Sequence, residues 1–94
     1  MIDYSCYNIR YNKHVVEDWV TVTGEIRNET SKNFNTAVFK ITLYVGTEPL
    51  GSALIKLRGF RSKSSKAFDV IVEGVHYELM HKITKHEIMF ESAY

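Results

Sequence analysis

From Asn35 to Val45 the chain alternates: Ala37, Phe39, Ile41, Leu43 and Val45 occupy every second position, and Thr36, Lys40, Thr42 and Tyr44 fill the gaps. A period of two places the two sets on opposite faces of an extended strand. Phe, Ile, Thr, Tyr and Val also suit a pleated, half-buried surface, so pattern and propensity agree on a central strand whose apolar side faces a core. Val38 alone interrupts the alternation.

The same reading gives a second strand over Asp18 to Asn28, with Val20, Val22, Gly24 and Ile26 on one face and Trp19, Thr21, Thr23, Glu25 and Arg27 on the other. Gly24 inside that strand predicts a bulge or a close backbone approach. Leu50 to Leu57 is a third strand, in which Ala53, Ile55 and Leu57 alternate with Ser52, Leu54 and Lys56. Phe68, Val70 and Val72 alternate with Ala67, Asp69 and Ile71 in a fourth, ended by Glu73-Gly74. Ile88 and Phe90 mark another within Ile83 to Phe90.

Ile2 to Tyr11 fits two templates, since Tyr7, Ile9 and Tyr11 alternate while Tyr4, Tyr7 and Tyr11 have helical spacing. Sheet-favouring residues and the lack of a good helix cap favour the strand. Val75 to Lys82 is open between a short helical turn and a loose strand.

Between these segments lie turn formers. Asn28-Glu29-Thr30-Ser31-Lys32-Asn33 is expected to close a hairpin onto the Asn35–Val45 strand, because short polar side chains bond their own backbone in tight reversals. Gly46-Thr47-Glu48-Pro49 is a further turn, and Arg58 to Lys66 a polar connection. Six or seven strands joined by polar turns predict an all-β antiparallel sandwich or small barrel, a single domain over residues 1–94.

Composition narrows the function classes. Hydrophobic residues at 45% and charged residues at 24% are globular values, and apolar runs never exceed three residues, far short of the roughly 20 needed to cross a bilayer as a helix. A formal charge of +1 supplies no global field for nucleic acid or anionic lipid. Cys6, the one cysteine, excludes an intrachain disulfide and reads as a small half-buried hydrophobe. No signal peptide is visible at Met1-Ile2-Asp3-Tyr4, and with no disulfide the expected location is the cytoplasm.

Three stretches together resemble the FxLYD domain, named for a Phe-x-Leu-Tyr-Asp signature: Val22-Thr23-Gly24-Glu25-Ile26-Arg27-Asn28, Phe39-Lys40-Ile41-Thr42-Leu43-Tyr44-Val45 and Phe60-Arg61-Ser62-Lys63-Ser64-Ser65-Lys66-Ala67-Phe68. In that family a Gly-x-x-x-Asn strand end precedes the signature strand, and a turn then leads into a strand opening with Phe. The resemblance spans about Val20 to Val72, with Ile41 standing where the family has Phe and Val45 where it has Asp. It implies an immunoglobulin-like β-sandwich, prokaryotic in origin and often attached to secreted or membrane proteins, without a settled activity. No catalytic or ligand-binding residue is carried over by it.

Candidate chemistry is sparse. His76, His81 and His86 recur at intervals of five, which neither a strand nor a helix brings onto one face, so surface histidines are expected there and at His14 rather than a metal site. Ser62, Ser64 and Ser65 sit in a basic turn without a Gly-x-Ser-x-Gly elbow, and no glycine-rich phosphate loop is present. No enzyme activity and no cofactor are therefore expected.

The strongest local charge is basic: Lys56, Arg58, Arg61, Lys63 and Lys66 surround Phe60, with no acidic residue from Pro49 to Phe68. If Phe60 is exposed, this turn could neutralise phosphates and stack a base, which makes a single-stranded nucleic-acid-binding barrel the alternative function. If Phe60 belongs to the core, the turn is a solvated hairpin. Val38, Tyr44 and Trp19 would place apolar surface outside the core, to be covered by the N-terminal tyrosines, by Met89 and Tyr94, or by a partner protein or second copy. Asn28-Glu29-Thr30 matches a glycosylation acceptor but reads better as a turn. The favoured expectation is a non-enzymatic interaction or accessory module that binds protein or itself, not nucleic acid, and does not insert in a membrane.

Overall fold

The strand with the clearest alternation lies in the middle of one of two sheets. The computed structural model describes residues 3–94. Its strands are β1 (Tyr4–Lys13), β2 (Trp19–Asn28), β3 (Phe34–Val45), β4 (Glu48–Phe60), β5 (Ser65–His76) and β6 (Lys85–Ala93), with a 3-10 turn, Tyr77–Lys82, between the last two. One sheet has the order β1-β2-β5 and the other β4-β3-β6, every pair antiparallel. The protein is an all-β sandwich.

The core forms where the two inner faces meet. Ala37, Phe39, Ile41 and Leu43 of β3 are fully buried, as are Val20, Val22 and Ile26 of β2, Ile55 and Phe60 of β4, and Val72 and Val75 of β5. Each large member removed from water contributes roughly 1.5–3 kcal/mol before the entropy of ordering is charged. Phe39 is the hub, with Tyr4, Phe60 and Phe90 edge-on around its ring at centroid distances of 4.9, 5.8 and 5.8 Å.

Gly24 is a close approach. A methyl group added there would stand 2.5 Å from Ile9 Cδ1 and 3.0 Å from the Phe68 ring. The cause is a bulge in β1: Tyr7 pairs with Glu25 and Arg10 with Thr23, so Asn8 and Ile9 together oppose Gly24. Asn8 takes a positive φ of 56°, which Asn tolerates better than most residues. The extra residue reverses the phase of β1. Tyr4 and Cys6 precede the bulge on the core side, Ile9 and Tyr11 follow it there, and Tyr7 is 38% exposed. The simple alternation of Tyr7 with Ile9 and Tyr11 is thus corrected.

Two connections differ from expectation. The turn after Asn28 does not close a hairpin: β2 pairs with β1 and β5, and β3 with β4 and β6, so this segment carries the chain from one sheet to the other. The second crossing, β4 to β5, is only Arg61 to Ser64, because β4 continues through Phe60 and β5 begins at Ser65. The hairpin between β3 and β4 forms as expected around Gly46, whose φ is +62°. Pro49 falls inside β4 rather than in the turn, at a sheet edge where its missing N–H costs no ladder bond.

β5 also outlasts its expected end. Gly74, at φ +88°, accommodates an irregularity in which Val20 pairs with Val72 but Trp19 with His76, and this turns Val75 into the core. The ambiguous segment beyond resolves as the 3-10 turn from Tyr77.

Candidate interaction surface

The two crossings meet at one end of the sandwich and lock together through Asn28. Its side chain is fully buried. The amide Nδ2 donates to the carbonyls of Lys32 (2.8 Å) and Phe60 (3.1 Å), and Oδ1 accepts from the Thr30 N–H (2.9 Å) and hydroxyl (2.6 Å). On the backbone, Asn28 N–H donates to Ser64 O and Lys63 N–H to Asn28 O. Ser62 adds two bonds, its N–H to Asn33 Oδ1 and its hydroxyl to Thr30 O. A buried Asn with its hydrogen-bonding capacity spent on the chain is structural, and it offers no free amide to a glycan.

This knot redistributes the basic segment. Phe60 is fully buried against Phe39 and presents no ring for stacking. Lys63 donates to the Glu29 carbonyl at 2.6 Å. Lys56 and Arg58 face outward on β4, opposite Val38 and Thr36. Lys66 lies in β5, its Nζ 3.8 Å from where a Cβ on Gly59 would stand. Lys56 and Arg58 thus belong to the outer face of β4 and Lys63 to the knot. Beside the knot, hydrogen bonds from Ser5 and Arg27 hold the Glu29 carboxyl below the usual carboxylate range.

The histidines serve separate local purposes. His14 Nδ1 accepts from the N–H groups of Val16 (3.2 Å) and Glu17 (3.0 Å), and His76 Nδ1 accepts from Glu78 N–H, capping the 3-10 turn. His86 Nδ1 lies 2.7 Å from the Tyr11 hydroxyl. Among the described residues, no three His, Cys, Asp or Glu side chains gather into a metal-binding group. Of the serines, Ser64 donates to Arg61 O, and Ser65 Oγ receives the Tyr7 hydroxyl. Cys6 is half-buried, and burial raises its thiol pKa, which suppresses the thiolate.

The outer face of β4-β3-β6 is mixed rather than greasy. Trp19 is on β2 in the other sheet, so it does not adjoin Val38 and Tyr44 as expected. Both of those are half-buried, and Lys85 Nζ sits 4.8 Å above the Tyr44 ring. The N-terminal tyrosines do not cover this face: Tyr4 and Tyr11 turn inward to meet β6. Met89 lies on the face itself, across from Lys40, whose other neighbour is Leu54. Leu54 and Met89 are 53% and 59% exposed.

The most exposed aliphatic groups among the described residues lie elsewhere, outside any periodic segment. Val15 and Val16, in the loop between β1 and β2, are 92% and 79% exposed. The loop is braced by His14, by the His14 N–H bond to Trp19 O, and by the Lys13–Asp18 ion pair at 3.6 Å. Their only signal in the sequence is a Val-Val pair inside a polar connection.

Compared with known proteins, the chain matches no family model, no curated protein and no solved structure. No helix among the described residues is long and apolar enough to cross a membrane.

Proposed function

We propose that this domain is a non-enzymatic, immunoglobulin-like interaction module of the FxLYD kind, and that its partner is another protein. The strand order supports the architectural half of this reading. With β1 to β6 taken as strands A, B, C, C′, E and F, the sheets A-B-E and C′-C-F follow the immunoglobulin pattern, in which C′ joins C and F. The buried Gly24 and Asn28, four residues apart at the end of β2, give the Gly-x-x-x-Asn element of the resemblance a physical role.

The observation that carries the functional half is the Val15–Val16 tip. Two neighbouring aliphatic side chains stand almost wholly in water on a loop whose backbone is already fixed, so a partner gains apolar burial with little ordering cost. Burying both is worth roughly 3–6 kcal/mol of transfer free energy at about 1.5–3 kcal/mol each. The basic turn, by contrast, offers charge without an aromatic platform.

The test is the mass of the native complex after gentle purification, for the wild type and for a Val15→Asp/Val16→Asp double variant. A defined second protein in fixed stoichiometry, lost in the variant while its thermal unfolding is unchanged, is the expected result. Recovery of both proteins as isolated chains would overturn the reading.

A further inference from the structure

Two hollows on the β5 side share residues. One, of about 450 Å³, lies beneath the β1–β2 loop on the outer face of β1-β2-β5 and includes Val15, Thr21, Thr23, Asp69 and Ile71. The other, of about 540 Å³, lies over the seam between β5 and β4 and includes Ser52, Leu54, Asp69, Ile71 and Glu73. Asp69 and Ile71 line both, so the two hollows adjoin on the outer side of β5, and together they are taken as a groove whose second half reaches the β5 edge. Among the described residues β5 pairs only with β2, so its other edge has backbone groups without a ladder partner, approached by β4 where Gly51 nears the Glu73 carbonyl.

The chemistry along the groove is regular. With Phe68, Val70 and Val72 turned toward the core, Asp69, Ile71 and Glu73 face outward in succession: acid, aliphatic, acid. Neither carboxylate has an ion pair or a side-chain hydrogen bond among the described residues. The nearest cation in the lining, Lys13, is held by Asp18 at 3.6 Å and by the His14 carbonyl at 3.3 Å. Leu54, across the seam, extends the aliphatic strip.

We propose that this groove binds an extended protein segment of the pattern Lys/Arg-x-aliphatic-x-Lys/Arg, laid along β5. The proposal rests on the reading of the domain as a protein-binding module and names one of its binding surfaces. Residues i and i+2 of an extended segment recur every ~6.6 Å, so two cations four residues apart span ~13 Å, the separation of two carboxylates four residues apart on a strand. The aliphatic residue between them then meets Ile71 and Leu54, and main-chain bonds to the β5 edge ahead of Glu73, where Gly51 closes the seam, supply sequence-independent affinity.

The experiment is an NMR titration of the intact chain with the capped pentapeptide Lys-Thr-Val-Thr-Lys. Saturable shifts confined to residues 69–73 and 52–54 are expected, with affinity falling at least tenfold in an Asp69→Asn/Glu73→Gln variant and falling with added salt. The capped Glu-Thr-Val-Thr-Glu peptide should give no such shifts. Absence of saturation at millimolar peptide, shifts centred elsewhere, undiminished binding by the variant, or spermine binding as tightly as the peptide would each overturn the proposal. Its failure is separable from that of the module: a native complex that depends on Val15 and Val16 survives loss of the groove, whereas isolated chains in both purifications remove the module reading.

Discussion

The sandwich has two open sides, and they are finished differently. On the β1–β6 side, Tyr4 donates its hydroxyl to the Ile88 carbonyl at 2.5 Å and packs on Phe39, while Tyr11 reaches His86. Aromatic side chains from one sheet thereby occupy polar groups of the other. On the β4–β5 side closure is by close backbone approach: a Cβ on Gly51 would lie 2.7 Å from Val75 Cγ2. Between Gly51 and the far end of this seam the groove of Asp69, Ile71 and Glu73 stays open. One side is latched by side chains that need partners. The other is held by small residues, with its charges left facing solvent.

Removing the hub that anchors the latched side should have the largest effect. Phe39→Ala deletes the ring against which Tyr4, Phe60 and Phe90 all pack, and should cost about 3–5 kcal/mol in denaturant unfolding. That is much of the ~5–10 kcal/mol such a domain has. A loss under about 1 kcal/mol would show that the ring is not the centre of the core.

On the other side the expected damage comes from adding atoms. Gly51→Val puts a branched side chain where Val75 stands, and overpacking of this kind typically costs about 1–3 kcal/mol. Thermal unfolding should show the loss, and a paired Val75→Ala change should return part of it by making room. If the double variant is no better than the single one, the two strands do not meet at this point.

How much of this was legible in the sequence follows from what alternation can encode. The inward faces of β2, β3 and β4 could be read directly, because Val20, Val22, Ile26, Phe39, Ile41, Leu43, Ile55 and Leu57 keep a strict period of two and all are buried. Partner strands could not. Asn28 to Asn33 has turn-forming chemistry that serves a hairpin and an inter-sheet crossing equally, and only the three-dimensional meeting with Phe60 and Ser64 tells them apart. The bulge at Asn8 was hidden for a related reason, since a single positive φ reverses the phase of β1 without altering its composition. Of the candidate surface, the basic turn is legible because its five cations fall within eleven residues of one another. The alternation places Asp69 outward but carries no sign of the hollow beside it and Glu73, which is built with a loop and a strand far away in the chain.

A smaller effect isolates the latch from the core. Tyr4→Phe keeps the ring on Phe39 and removes only the hydroxyl that serves the Ile88 carbonyl, so stability should fall by about 0.5–1.5 kcal/mol. Amide exchange should rise in β6 more than in β4. Equal changes in both strands would mean that the hydroxyl stabilises the fold globally rather than fastening one side.

The subtlest difference between the sides is their response to pH. Burial lowers the pKa of His86 from the ordinary 6.5, so the unfolded chain takes up a proton before the native one as pH falls. Stability contributed by neutral His86 is therefore complete above about 6.5, declines as pH drops below that value, and levels off once the native histidine is also protonated. Burial acts in the opposite sense on Tyr4 and Tyr11, whose raised pKa values make the unfolded chain lose its phenolic protons first, so stability should also decline as pH rises through 10 and beyond. Glu29, with a lowered carboxyl pKa, adds a separate acid loss that begins only below about 4.5. Denaturation midpoints measured from pH 7 to 5 should thus fall in the wild type and stay flatter in His86→Gln. An unchanged slope in that variant would place the titrating group outside the β1–β6 seam and remove the asymmetry between the two sides.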